Sequence, residues 1–366
     1  MHQKLACRAG GARSVARRRA AGGQAARTAD RSGSSPPLRR PARPPRPPHP
    51  LRDGAAVFRW GSDPPCSVLA LTLPFGDRLA AKVAETGSAL CVGIDPRGPF
   101  PADVLRGLAD SRAGRARAVE RYCQGLIEAV APHCCAIKPQ VALFELYGGY
   151  GLSALDAVCA TAREHGLLII ADAKRGDIAS TAAAYAEAWI GLRPGESAPL
   201  ADAVTVNAYM GPDTVEPFLE VADRHGAGLF VLARTSNPGA AELEEQALAA
   251  GEQVWERVAG WIDGWSAGRT GTSGVASVGA VIGATAPAVV RVARDRMPSA
   301  PLLLPGVGAQ GGRIEDLAPA FERHPAGGLV VAARSVIEAW RDTDGDWMAA
   351  VAETARAHAR QVAALR

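Results

Sequence analysis

No stretch of the 366-residue sequence stays apolar long enough to cross a membrane, since a helical span takes about 20 such residues. The N-terminal region also lacks the apolar segment of a secretory signal. The seven cysteines, Cys7, Cys66, Cys91, Cys123, Cys134, Cys135 and Cys159, are an odd number without the paired spacing of a zinc site. The seven histidines are scattered, so no local metal-binding cluster stands out. A chain this long needs no disulfide staples, and its thiols read as reduced, which predicts a cytoplasmic setting. Adjacent Cys134 and Cys135 invite a redox reading, but cysteines buried in a strand are the simpler one. Nor does a G-x-G-x-x-G motif follow the first strand-like segment, so the main signature of an open dinucleotide-binding sheet is missing.

The formal net charge of +4 hides a sharp division. Residues 1–53 carry 13 Lys and Arg against two Asp, a local balance of +11, so the remainder of the chain carries −7. The acidic body has no nucleic-acid footprint. The head, with stretches such as "VARRRAAGG" and "PPLRRPARPPRPPHP", holds too little apolar material to build a core. Residues 1–66 are therefore expected to form a disordered Arg/Pro/Ala-rich extension. An organellar transit peptide, a basic arm for nucleic acid and a start site assigned too far upstream all fit this composition. The last is favoured, because these residues have GC-rich codons.

From Leu73 onward the character changes. Eight short apolar runs recur: Ala89–Asp95, Cys134–Lys138, Leu167–Asp172, Ala203–Asn207, Gly228–Ala233, Val278–Ala284, Pro301–Gly306 and Gly328–Ala333. Helix-like segments such as "AVERYCQGLIEAVAP", "LSALDAVCATAREHG", "TAAAYAEAWIGL" and "APAVVRVARDR" lie between them. Strands that are apolar throughout, rather than alternating, are buried on both faces and belong to parallel sheets covered by helices. Eight such units predict a (β/α)8 TIM barrel over residues 73–366.

In a barrel, polar residues at the C-terminal strand ends face the active-site mouth. Here those positions hold Asp95, Lys138, Asp172, Lys174, Asn207, Arg234 to Ser236, Thr285, Pro305 to Gln310 and Arg334. Each alone could be a solvated loop residue. Opposite charges at the ends of three successive strands are harder to dismiss. Asp172 and Lys174 are two apart and would point the same way in an extended strand. Asp177 lies three further on and must reach a site from another direction. Carboxylates crowded around lysines keep them protonated, which favours proton donation and disfavours Schiff-base chemistry. Across the mouth, the glycine-rich "PGVGAQGG" after the seventh strand and Arg334 after the eighth occupy the usual phosphate position of such barrels.

These residues resemble the orotidine 5′-phosphate decarboxylase family. Asp172-Ala173-Lys174-Arg175-Gly176-Asp177-Ile178 is similar to its D-x-K-x-x-D-I signature. "GIDP", "IKPQVALFE", "RTSNPG" and "PGVGAQGG" fall at the corresponding strand ends, and "KPQVALFE", "VNAYMG" and "RTSNPG" resemble the longer bacterial subgroup. The resemblance implies cofactor-free and metal-free decarboxylation of orotidine 5′-phosphate to UMP in pyrimidine biosynthesis. In that scheme Lys174 donates the proton to C6, Asp172 sits against the substrate carboxylate, and Asp95 and Lys138 hold the ribose. Ser236 would meet the pyrimidine, and Gln310 and Arg334 the phosphate, with Pro305 in a mobile loop. Asp177, Ile178 and Thr181 would come from the partner subunit of a homodimer with shared active sites. Ala208 stands where the subgroup has proline, which leaves the path of the loop after the fourth strand open. The rival within the superfamily is a metal-dependent sugar-phosphate decarboxylase or synthase. Lys138 and Ile178 argue against it, because a metal site needs further carboxylates.

Overall fold

The computed structural model describes residues 73–308, 311–343 and 345–366, so the expectation for residues 1–66 lies outside the described residues. Eight parallel strands close into a barrel in sequence order: β1 (Leu90–Ile94), β2 (Ala136–Pro139), β3 (Leu168–Arg175), β4 (Ala203–Val206), β5 (Gly228–Arg234), β6 (Val278–Ile282), β7 (Leu302–Pro305) and β8 (Gly328–Ala332). β8 pairs back onto β1 through Leu90–Val330 and Cys91–Val331. The apolar runs become strands because closure buries both of their faces; β1, β2, β4, β6 and β8 are buried at every residue. Cys91, Cys123, Cys134, Cys135 and Cys159 are free and buried, and burial pushes their thiols up, to about 12 for Cys91.

Long helices wrap the barrel between strands, among them Arg112–Val130, Gly149–Glu164, Ala179–Ile190 and Pro287–Arg296. Ser111 caps the first of these by accepting from the Gly114 amide at 3.0 Å. The turn from helix to strand often uses glycine. Gly226, for instance, ends Glu216–His225 at φ 61°, a left-handed conformation with no steric penalty for glycine.

The N-terminal ends of the strands are covered. Helix Phe75–Thr86 lies across them, with Phe75 edge-on to Phe230 at 5.9 Å and the Gly76 amide donating to Ser277 Oγ at 3.2 Å. Asp77 accepts from Ser273 N at 2.8 Å and from Thr272, and these hydrogen bonds lower its carboxyl to about 2. With this end stapled shut, only the C-terminal ends are left to open a site.

Arg294 is the largest buried cation at the covered end, at 1% exposure. It has no carboxylate partner among the described residues. Its guanidinium donates instead to the carbonyls of Met297, Ala300 and Gly327 at 2.7, 2.8 and 2.7 Å, just before β7 and β8. Burial lowers its pKa to about 10, so it stays charged at neutral pH. Replacing it by methionine keeps the volume but orphans several buried carbonyls. Arg294→Met should therefore lose about 3 kcal/mol or more of stability in chemical denaturation, while the folded fraction keeps full activity. A stability within about 1 kcal/mol of the parent would show that the carbonyl ring is satisfied without the guanidinium.

The loop after β4 takes a definite path despite Ala208. The Asn207 side chain accepts from the Tyr209 amide at 2.9 Å and the Gly211 amide donates to the Ala208 carbonyl at 3.0 Å, closing a turn. An Asx-type contact thus supplies the restraint that proline would have given.

Candidate active site

The charged array forms where β2, β3 and β4 end. Lys138 leaves β2 almost completely buried, and its Nζ lies 2.5 Å from Asp172 Oδ2. Gln140, just past β2, donates its amide to the same oxygen at 3.0 Å. The other carboxylate oxygen, Oδ1, accepts from Lys174 Nζ and from the Thr205 hydroxyl of β4, the latter at 3.2 Å. Four donors therefore converge on one buried carboxylate. Burial alone would raise its pKa, but the charges of Lys138 and Lys174 and their hydrogen bonds outweigh it and hold Asp172 well below the usual carboxylate range. For Lys138 burial works in the opposite sense, towards neutrality. The facing carboxylates of Asp172 and Asp95 overcome it and keep the amine above its ordinary value.

Lys174 does not continue an extended strand. The pairing of β3 with β4 slips between Ala171 and Arg175, and Lys174 adopts φ 48°, in the left-handed region. The expectation of two side chains aligned by strand alternation is corrected here. Asp172 and Lys174 meet because a bulge re-aims the lysine back over the carboxylate. The Lys174 side chain remains 46% exposed, on the open side of the array, whereas Asp172 is shielded beneath it.

A cavity of about 460 Å³ opens beside this array, a volume suited to a small metabolite. Asp95, Lys138, Asp172 and Lys174 line one side, Ser236 and Asn237 a second, and Pro305 and Arg334 a third. Asp95 Oδ1 is buried and has no hydrogen-bond partner among the described residues. The segment carrying Ser236 is held from behind. Arg234 pairs with Glu245 at 2.6 Å, and the Thr235 amide donates to Glu244 at 2.8 Å. Its backbone presses so closely on β6 that a Cβ at Gly283 would stand 2.8 Å from Ser236 Cα. After β7, Gly306 and Gly308 take φ 108° and 73°, and the Gly308 amide donates to the Gly312 carbonyl at 3.0 Å, which draws these last two glycines together. Arg334 begins the chain after β8 and makes no ion pair among the described residues.

The model of the orotidine 5′-phosphate decarboxylase / HUMPS family matches residues 88–344, which contain all of these groups. The chain belongs to that family. It is 39% identical over 268 residues to the orotidine 5′-phosphate decarboxylase of Rhodopirellula baltica, covering 72% of this chain and 88% of the relative. It is 41% identical to that of Deinococcus radiodurans, covering 73% and 90%. The solved OMP decarboxylase of Leishmania donovani superposes with a TM-score of 0.63 at 30% identity, over 80% of this chain and 99% of that one.

Within this member of the decarboxylase family, the fold brings together Asp95, Lys138, Asp172, Lys174, Ser236, Pro305 and Arg334 of the residues expected from sequence. Gln310 lies outside the described residues. Asp177, Ile178 and Thr181 are not among the residues lining the cavity of their own chain: Asp177 accepts from the Ile178 amide at 2.8 Å, and Ile178 is 59% exposed. Thr235, within the strand-end stretch Arg234 to Ser236, also lines the cavity, whereas Gln140, Thr205 and Asn237 line it and were not anticipated. A signal existed for some of them. Gln140 directly follows the Lys138-Pro139 pair, and Thr205 is the one polar residue in the apolar strand "AVTV". The whole chain also has only four lysines, Lys4, Lys82, Lys138 and Lys174, and two of them meet at Asp172.

Proposed function

We propose that this chain is an orotidine 5′-phosphate decarboxylase that converts its substrate to UMP and CO₂ without a cofactor. The observation that carries the reading is the buried Lys138–Asp172–Lys174 array opening into a cavity whose far side offers the glycine loop and Arg334. The phosphate would rest on the loop after β7 and on Arg334, a planar donor suited to bidentate contact, with Gln310 completing the grip. Ser236 faces the pyrimidine. The unpartnered Asp95 Oδ1 takes a hydrogen bond from a ribose hydroxyl, and Lys138 reaches the same sugar.

In this pose the substrate carboxylate lies against Asp172, which stays ionised across the physiological range. Cleavage of the bond between C6 and its carboxylate leaves the electron pair on C6 and releases neutral CO₂, which removes the charge repulsion with Asp172. The Lys174 ammonium stabilises the developing negative charge and transfers its proton to C6, then recovers one from solvent. Binding energy from the distant phosphate is available to order the loop around Pro305 and exclude water.

The proposed homodimer has shared sites. The segments after β2, β3 and β4 expose Leu146, Tyr150, Ile178, Tyr209 and Met210, an apolar rim beside the mouth that a second copy would cover. On that rim, Asp177, Ile178 and Thr181, which are not among the residues lining their own cavity, would complete the partner's. No helix among the described residues is long and apolar enough to cross a membrane, and the free, buried cysteines support a reducing, cytoplasmic setting.

The experiment is a decarboxylation assay with orotidine 5′-phosphate, run with and without exhaustive chelation. Full turnover is expected in both. Lysines occupy the positions where a metal-dependent relative needs carboxylates, and no group of three His, Cys, Asp or Glu side chains among the described residues is arranged to hold an ion. Loss of activity with EDTA and recovery with magnesium would transfer the chain to the sugar-phosphate branch. Absence of decarboxylation under either condition would refute the proposal outright.

A further inference from the structure

The proton donor stands on a strained backbone, and one neighbouring side chain holds it there. Across the bulge, Ala171 pairs with Val204 and Arg175 with Val206, so Thr205 alone on β4 faces Asp172, Ala173 and Lys174 on β3. A regular parallel ladder would give each β3 amide a backbone acceptor. At the bulge that acceptor is missing, and the Lys174 amide donates instead to Thr205 Oγ1 at 2.8 Å. A left-handed φ on a residue with a Cβ is strained and persists only where neighbours over-determine it.

The polarity of the contact follows by elimination. A backbone amide can only donate, so the Thr205 hydroxyl must accept from Lys174 N. Its single proton is then left for Asp172 Oδ1, 3.2 Å away. Thr205 is 1% exposed, and a hydroxyl buried this deeply in an apolar strand is tolerated only with its hydrogen-bonding capacity used. Both ends of its capacity are spent on the two residues that do the chemistry. One end sets the backbone from which the Lys174 side chain departs; the other orients the carboxylate that Lys174 Nζ meets.

We propose that Thr205 is a positioning residue of the decarboxylation, fixing the bulge at Lys174 and the rotation of Asp172 in a single contact. The inference rests on the functional reading above. The hydroxyl makes no contribution to grip on the phosphate, so its loss moves the reacting groups without loosening the substrate.

The test compares Thr205→Val, which keeps the shape and removes the hydroxyl, with Thr205→Ser, which keeps the hydroxyl and removes a methyl. Both are assayed beside the wild-type enzyme on orotidine 5′-phosphate, and UMP affinity is measured by calorimetry. Thr205→Val should lose roughly 10- to 100-fold in kcat, the scale of an ångström-sized misplacement, with KM and UMP affinity within about threefold of wild type. Thr205→Ser should recover kcat to within about fivefold of wild type, since it restores both hydrogen bonds. Should Thr205→Val fail to fold, Thr205→Cys carries the prediction, because its weak S–H donor fits the same space and should still lose about tenfold in kcat. A kcat within twofold of wild type in a folded Val or Cys variant would overturn the proposal. So would a Ser variant as impaired as Val, because the hydroxyl would then not be what matters. If the wild-type chain itself does not decarboxylate the substrate, the functional reading has failed, which is a distinct outcome from failure of the Thr205 assignment.

Discussion

Lys174→Ala should lower kcat by at least about 10⁴-fold, combining the loss of a positioned proton donor with the loss of charge stabilisation at C6. The fold should survive the change. Lys174 is the half-exposed member of the array, so truncating it opens no interior cavity. Asp172 keeps Lys138, Gln140 and Thr205 as donors, and its buried charge is not left unpaired. Circular dichroism, melting midpoint and mass in solution are therefore expected to match wild type while turnover disappears. Lys138 cannot substitute: it is buried beneath the carboxylate, and its Nζ is committed to Asp172 Oδ2. Turnover within tenfold of wild type would remove Lys174 from the mechanism and with it the reading of the array as a proton-delivery device.

The second large effect is the reappearance of activity from two inactive proteins. Asp177→Ala should be as dead as Lys174→Ala if Asp177 completes the partner's site, although it does not line its own cavity. Mixing the two variants under conditions of subunit exchange creates heterodimers. In each, one site collects both lesions. The other combines the intact Lys174 of one chain with the intact Asp177 of its neighbour. Random mixing makes half of the dimers hybrids, each with one working site of two, so about a quarter of wild-type activity should return. The yield should rise with the time allowed for exchange and be absent when the variants are cross-linked before mixing. A mixture that stays inactive despite exchange verified by native mass spectrometry would place Asp177 in its own chain's site and break the shared-site proposal.

Much of the barrel was legible because its physical cause is local. A parallel strand closed into a barrel is buried on both faces, so "LLIIAD" or "GLVVAA" must be apolar at every position, and the eight runs emerge as β1 to β8 in order. The chemistry was legible for a related reason. Side chains that face a barrel mouth sit at strand ends, and charge there cannot be explained by a core. Asp95, Lys138, Asp172, Lys174, Ser236, Pro305 and Arg334 are each found at a predicted strand end.

What only the tertiary structure decided are the relations between strands. That Thr205 bonds Lys174 and Asp172, 31 and 33 residues away, depends on the register of β4 against β3. No local pattern encodes that register or the bulge that interrupts it. The left-handed turn at Lys174 is invisible for the same reason: an isolated lysine avoids it, and only the packed neighbours hold it there. Arg294 reads as a surface residue of an amphipathic helix until closure surrounds it with the carbonyls that precede β7 and β8. The sequence by itself determined which segments are buried and where charge accumulates, because hydrophobic burial acts residue by residue. The folded barrel alone decided which donor meets which acceptor, because a hydrogen bond needs two atoms brought within about 3 Å, and that depends on how the strands are staggered.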